Sequence, residues 1–83
     1  MLYLPNLENI STFVLVAKMG SFTRAAKTLG ISTNATSRRV MELEAEMGVR
    51  LLFRTTRSLS TTEEGRILLS LAEKSVNDLM AAR

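Results

Sequence analysis

STNATSRR, residues 32–39, sets small polar residues ahead of two arginines where the surrounding sequence demands a packed helix. Gly30-Ile31-Ser32 just before it is a very short connection. Glycine supplies the left-handed stop for one helix, Ile31 plugs the gap, and Ser32 caps the next. The stretch is therefore a helix start, and two helices joined so tightly read as a helix-turn-helix. At 100° per residue, Thr36, Val40, Leu43 and Met47 fall on one side, the expected core face. Thr33, Asn34, Ser37, Arg38 and Met41 gather on another side with no acidic residue among them. Short hydroxyl and amide groups let a helix sit deep in a groove and bond to base edges and phosphates. The arginines add attraction to a polyanion and a bidentate match for guanine, and the helix N-terminus adds partial positive charge. Weak helix formers at this place are explained by contact rather than propensity.

Working outward, Asn6 caps a first helix whose apolar stripe is Leu7, Ile10, Phe13, Val14 and Ala17, ending near Gly20. Ser21 and Thr23 are both able to cap the second, expected over residues 24–29, where Ala25 and Ala26 permit close approach of another helix. Gly48 ends the third. Residues 49–54 are β-prone, residues 55–58 turn-like, and residues 59–61 return as a second strand. A hairpin bearing Arg54 and Arg57 has the form of a wing. Thr61 or Thr62 caps the last helix, and Thr61 with Glu64 fits a capping box. That helix runs to the end of the chain with a stripe of Leu68, Leu71, Ala72, Ser75, Val76 and Leu79. The stripe is longer than so small a domain covers, so a second copy is expected against it; packing against the first helix is the alternative, and the two are compatible.

The fold expected is mostly α: a winged helix-turn-helix, with a three-helix core and a small β-hairpin wing, followed by a long dimerisation helix. Residues 1–61 form the first unit and residues 62–83 the second. With 83 residues and no cysteine, a single core must suffice without disulfides. The net charge is only +3, yet Arg24, Lys27, Arg38, Arg39, Arg50, Arg54 and Arg57 crowd the middle of the chain, against Glu42, Glu44 and Glu46. A basic middle on a near-neutral frame suits a polyanion. No stretch approaches the ~20 apolar residues of a membrane span, and the N-terminus lacks a signal-peptide pattern, so a cytoplasmic protein without membrane contact is expected. Catalysis is not expected. There is no histidine or cysteine, the serines lack an activating partner, and Glu42, Glu44 and Glu46 are spread around the helix. Neither metal nor cofactor is expected. Glu44 is read as solvent-exposed, with an ion pair to a wing arginine. A helical adaptor for other proteins is the rival reading; it accounts for the long last helix but not for the polar, basic start of the third.

Residues 6–65 resemble the N-terminal DNA-binding domain of LysR-type transcriptional regulators. The likeness runs through Phe13, Gly20-Ser21-Phe22-Thr23-Arg24-Ala25-Ala26, Leu29, Ser32, Ala35, Ser37-Arg38, Leu43-Glu44, Leu51, Arg54-Thr55, Arg57, Thr62 and Gly65. It implies a homodimer formed through the final helix, reading an interrupted palindrome in double-stranded promoter DNA at the bacterial nucleoid, with a tetramer open to the full-length protein. It places base contacts on Thr33, Asn34, Ser37 and Arg38 and wing contacts on Arg54 and Arg57. Thr23, Ser32 and Arg39 become phosphate candidates, and Leu68, Leu71, Ala72, Ser75 and Leu79 the dimer seam. Family members carry a ligand-sensing domain after the linker helix, so the chain is expected to be an excised part, any small-molecule inducer acting through a domain absent here. Where the family usually has Gln-Pro, this chain has Thr33-Asn34; threonine is too short for the bidentate adenine pairing of glutamine and is limited to touching a thymine methyl. Thr36 replaces an aliphatic residue. Leu52 holds the usual aromatic place and Phe53 a usually polar one, which leaves open which of them is buried.

Overall fold

A computed structural model describes residues 6–54 and 59–81, with side chains through Lys74. Helix α1 spans Leu7–Met19, α2 Phe22–Leu29 and α3 Thr33–Met47; strands β1, Leu52–Arg54, and β2, Leu59–Thr61, follow, then α4, Glu63–Ala81. The architecture is the winged helix-turn-helix expected from the sequence.

The caps explain the boundaries. Asn6 Oδ1 accepts from the Glu8 and Asn9 N–H groups at 2.8 and 3.3 Å. Ser21, not Thr23, caps α2: its backbone is extended, and its Oγ accepts from Arg24 N at 3.1 Å. The helix therefore begins at Phe22, two residues earlier than its pattern suggested. At its other end Gly30 has φ +72°, and the N–H groups of Gly30 and Ile31 donate back to Lys27 and Ala26. This paired closure needs a left-handed residue, which a side chain resists.

Phe13 and Val16 of α1, Ala25 of α2, Val40 and Leu43 of α3, and Leu51 and Leu52 at the hairpin base form the fully buried centre. Leu68 and Leu69 of α4 pack onto it from one side. Thr36 is also fully buried, and its hydroxyl donates to Ser32 O at 2.9 Å, so a polar residue stands at a core position with its hydrogen bond satisfied.

Two positions on α3 differ from the helical wheel. Met47, expected inside, is 38% exposed, and Glu44, expected in solvent, is buried. Glu44 Oε2 accepts from Leu51 N and Leu52 N at 2.8 and 3.2 Å, while Oε1 lies 3.3 Å from Arg54 Nη2. The expected ion pair is present, but the carboxylate's larger task is to satisfy two buried backbone donors. Val49 N donates to Glu44 O at 3.2 Å and Leu51 N to the Glu44 carboxylate, so the strand expected over residues 49–54 shortens to Leu52–Arg54. It pairs antiparallel with β2 in the register Leu52↔Thr61, Phe53↔Ser60 and Arg54↔Leu59. Leu52 is buried and Phe53 exposed, which resolves the choice left open by the sequence.

Thr61 is taken by that pairing, so the Thr61–Glu64 box does not form. Thr62 caps α4 instead: its Oγ1 accepts from Gly65 N at 2.9 Å and donates to Arg50 O at 2.6 Å. Its own N–H donates to Leu51 O at 3.0 Å. Here the backbones are so close that a Cβ on Gly65 would lie 2.1 Å from Leu51 O.

Candidate nucleic-acid interface

The turn between α2 and α3 presents the first two turns of α3 outward. Ser32 Oγ accepts from Ala35 N at 3.0 Å, anchoring the helix start. Thr33, Asn34, Arg38 and Met41 are exposed and Ser37 is half-buried, so the five residues of the polar face share one surface. Asn34, Ser37, Arg38, Met41, Glu42 and Ala45 line an open depression of ≈570 Å³ along it. This surface offers hydroxyl, amide and guanidinium groups, the set that bonds to base edges and phosphate oxygens.

Helix α2 also exposes Thr23, Arg24 and Lys27. Arg24 and Lys27 belong to the basic middle of the chain but lack a motif of their own. Ser32 and Thr23 both stand exposed at helix starts, where the helix dipole favours an anion.

Two predicted contact residues have partners within the protein. Arg39 turns toward α1: its Nη2 is 2.7 Å from Glu8 Oε1 and its Nη1 donates to Thr12 Oγ1 at 3.3 Å. Its side chain is 26% exposed, so the guanidinium braces α3 against α1 while keeping one edge toward solvent. Arg54 lies half-buried over Phe22, with Cζ 5.3 Å from the ring centroid, and pairs with Glu44. Cation–π and ionic contacts together aim the hairpin. Its Nε is buried with no hydrogen-bond partner among the described residues. Arg57 lies outside the described residues.

On α4, the predicted stripe divides. Leu68 and Ala72 are half-buried, with Leu68 on the domain's own core, whereas Leu71 is 57% exposed. Ile67, one turn before Leu71 and not foreseen, is 53% exposed. The i, i+4 spacing of Ile67 and Leu71 was available in the sequence, but so were several other rows on so apolar a helix. Lys18 and Glu73, 3.9 Å apart, tie α4 to α1 on the packed side. The side chains of Ser75 and Leu79 lie outside the described ones.

A sequence model described as "Bacterial regulatory helix-turn-helix protein, lysR family" matches residues 7–66. The chain is 46% identical over 77 residues to the HTH-type transcriptional regulator CrgA of Neisseria meningitidis, covering 93% of this chain and 26% of that protein. It is 40% identical over 77 residues to PtxR of Pseudomonas aeruginosa, covering 93% of this chain and 25% of that regulator. The chain thus spans about a quarter of the length of these curated relatives. Among solved structures, a BenM DBD complex with catB site 1 DNA superposes with a TM-score of 0.84 at 35% identity, covering 93% of this chain and 86% of that one. The oxidized form of Corynebacterium glutamicum OxyR gives 0.84 at 33% identity, over 98% of this chain and 26% of that one.

Proposed function

The chain belongs to the LysR family of bacterial regulatory helix-turn-helix proteins, and on that premise we propose that it binds double-stranded promoter DNA as a dimer and regulates transcription in the bacterial cytoplasm. The observation that carries this reading is the outward start of α3, where Thr33, Asn34, Ser37 and Arg38 share one surface free of any acidic group in the first two turns. A helix face of that chemistry suits a major groove, which at about 12 Å wide admits an α-helix. The similarity to a domain solved on DNA supports the same reading.

In this proposal residues 1–61 bind DNA and residues 62–83 dimerise. Thr33, Asn34, Ser37 and Arg38 meet base edges. Thr23 and Ser32, joined by Arg24 and Lys27, meet the phosphate backbone. Arg39 and Arg54 attract phosphates by charge while Glu8 and Glu44 hold their guanidinium groups in place. Ile67 and Leu71 form the apolar centre of the dimer seam.

Titration of duplex DNA at several salt concentrations separates this function from that of a protein adaptor. For roughly six to ten neutralised phosphates per dimer, log K falls against log salt with a slope of about −5 to −9; a flat response rejects DNA binding. Arg38→Ala is expected to lose about 1–3 kcal/mol on a selected site and to blunt discrimination at one base. An equal loss on random duplexes reassigns Arg38 to the backbone. Leu71→Asp places a charge in the apolar seam and is expected to shift the dimer toward monomer, with an unaltered dimer in sedimentation excluding this face.

A further inference from the structure

Met41 takes no part in the core, and the donors and acceptors of the polar face do not explain it. A single exposed hydrophobic residue is ordinary, but this one is 57% exposed on the surface that carries Asn34 and Arg38, and it lines the same depression. At 100° per residue, Asn34, Met41 and Ala45 fall within about 40° of one another. The centre line of the face therefore passes from an amide to a thioether and then to a methyl group. Beyond Arg39, α3 carries Glu42, Glu44 and Glu46 and no basic residue. That half of the helix has no cation to hold a phosphate. Glu42, on its flank, is drawn toward α1 by Asn9 Nδ2, which donates to Oε2 at 3.4 Å.

Apolar contact is what this central strip offers, and the apolar group in a major groove is the thymine C5-methyl. Resting on the DNA-binding reading above, we infer that Met41 reads a thymine methyl, with Ala45 leaving room beside it. Three residues advance a helix by about 4.5 Å, and successive base pairs lie about 3.4 Å apart. The thymine therefore falls one to two base pairs from the base met by Arg38. An unbranched, polarisable thioether follows a methyl into the groove without the exact alignment a hydrogen bond demands.

Duplexes selected by the protein from a random pool supply the site. Each thymine is then replaced singly by deoxyuridine, which removes the methyl and leaves every hydrogen-bonding group. Binding is measured for the unaltered chain, Met41→Ala and Met41→Leu; the exposure of Met41 means that these changes leave the core intact. At one position the replacement weakens the unaltered chain and Met41→Leu roughly fourfold, the equivalent of one buried methyl, and leaves Met41→Ala unaffected. All three proteins keep one salt slope. An equal loss in Met41→Ala hands the methyl to another side chain such as Thr33 and overturns the assignment, as does the absence of loss at every thymine. Failure of the unaltered chain to bind any duplex in a salt-dependent way overturns the DNA reading and this inference with it, a result visible before any thymine is changed.

Discussion

Glu44→Ala is expected to lose about 3–5 kcal/mol of folding stability, the range for removing one partner from a buried charged pair. The carboxylate serves three donors at once: Leu51 N, Leu52 N and Arg54 Nη2. Alanine leaves two buried N–H groups without an acceptor, each costing about 1–3 kcal/mol. It also leaves the Arg54 guanidinium half-buried over Phe22 without its counter-charge. These losses share one cause and do not add in full. For a domain of this size, about 1 kcal/mol corresponds to roughly 4–8 °C in Tm, so the variant melts well below the parent. Glu44→Gln keeps a carbonyl oxygen for the backbone donors and loses the charge, and should fall between the two. Urea unfolding of parent, alanine and glutamine forms measures this order. A loss below about 1 kcal/mol in the alanine form would mean that solvent replaces the carboxylate.

Gly65→Ala sets two effects against each other. In an ordinary helical position alanine is favoured over glycine by about 0.8–1.0 kcal/mol. Here its Cβ would stand 2.1 Å from Leu51 O and 3.0 Å from Leu51 C, both backbone atoms that no rotamer change can move aside. Relief requires the start of α4 to draw back from the hairpin base. That movement lengthens the bonds from Thr62 N to Leu51 O and from Thr62 Oγ1 to Arg50 O. Overpacking of this kind costs about 1–3 kcal/mol and sometimes more; with two hydrogen bonds disturbed besides, the clash outweighs propensity, and a net loss of about 2–3 kcal/mol is expected by urea unfolding. A neutral or stabilised variant would show that α4 shifts freely on the hairpin. Because α4 also bears Ile67 and Leu71, a tilt imposed at Gly65 should weaken the proposed dimer too.

Much of the proposed recognition surface is legible in the amino-acid sequence. Ser32 declares a helix start because a serine hydroxyl reaches an N–H only three residues away. The gathering of Thr33, Asn34, Ser37 and Arg38 on one side follows from helical rotation alone. The partners of the two wing and helix arginines are less legible: Arg54 can be paired with Glu44 in outline, but nothing in the pattern reveals that the acid is buried. For Arg39 the pattern offers no sign of Glu8 at all.

Local chemistry, acting over four residues or fewer, thus determined where α1 and α3 begin, where the first three helices stop, which side of α3 is polar, and that a short hairpin follows. Tertiary packing decided everything that depends on groups far apart in the chain. It brought Arg39 to Thr12, 27 positions away, put Glu44 under the hairpin in place of Met47, made Thr62 the cap by committing Thr61 to a strand, and directed Leu68 inward while leaving Ile67 and Leu71 outside. The reason is that the free energy of a charge or an apolar side chain is set by the surface it meets, and that surface exists only once the helices have closed on one another.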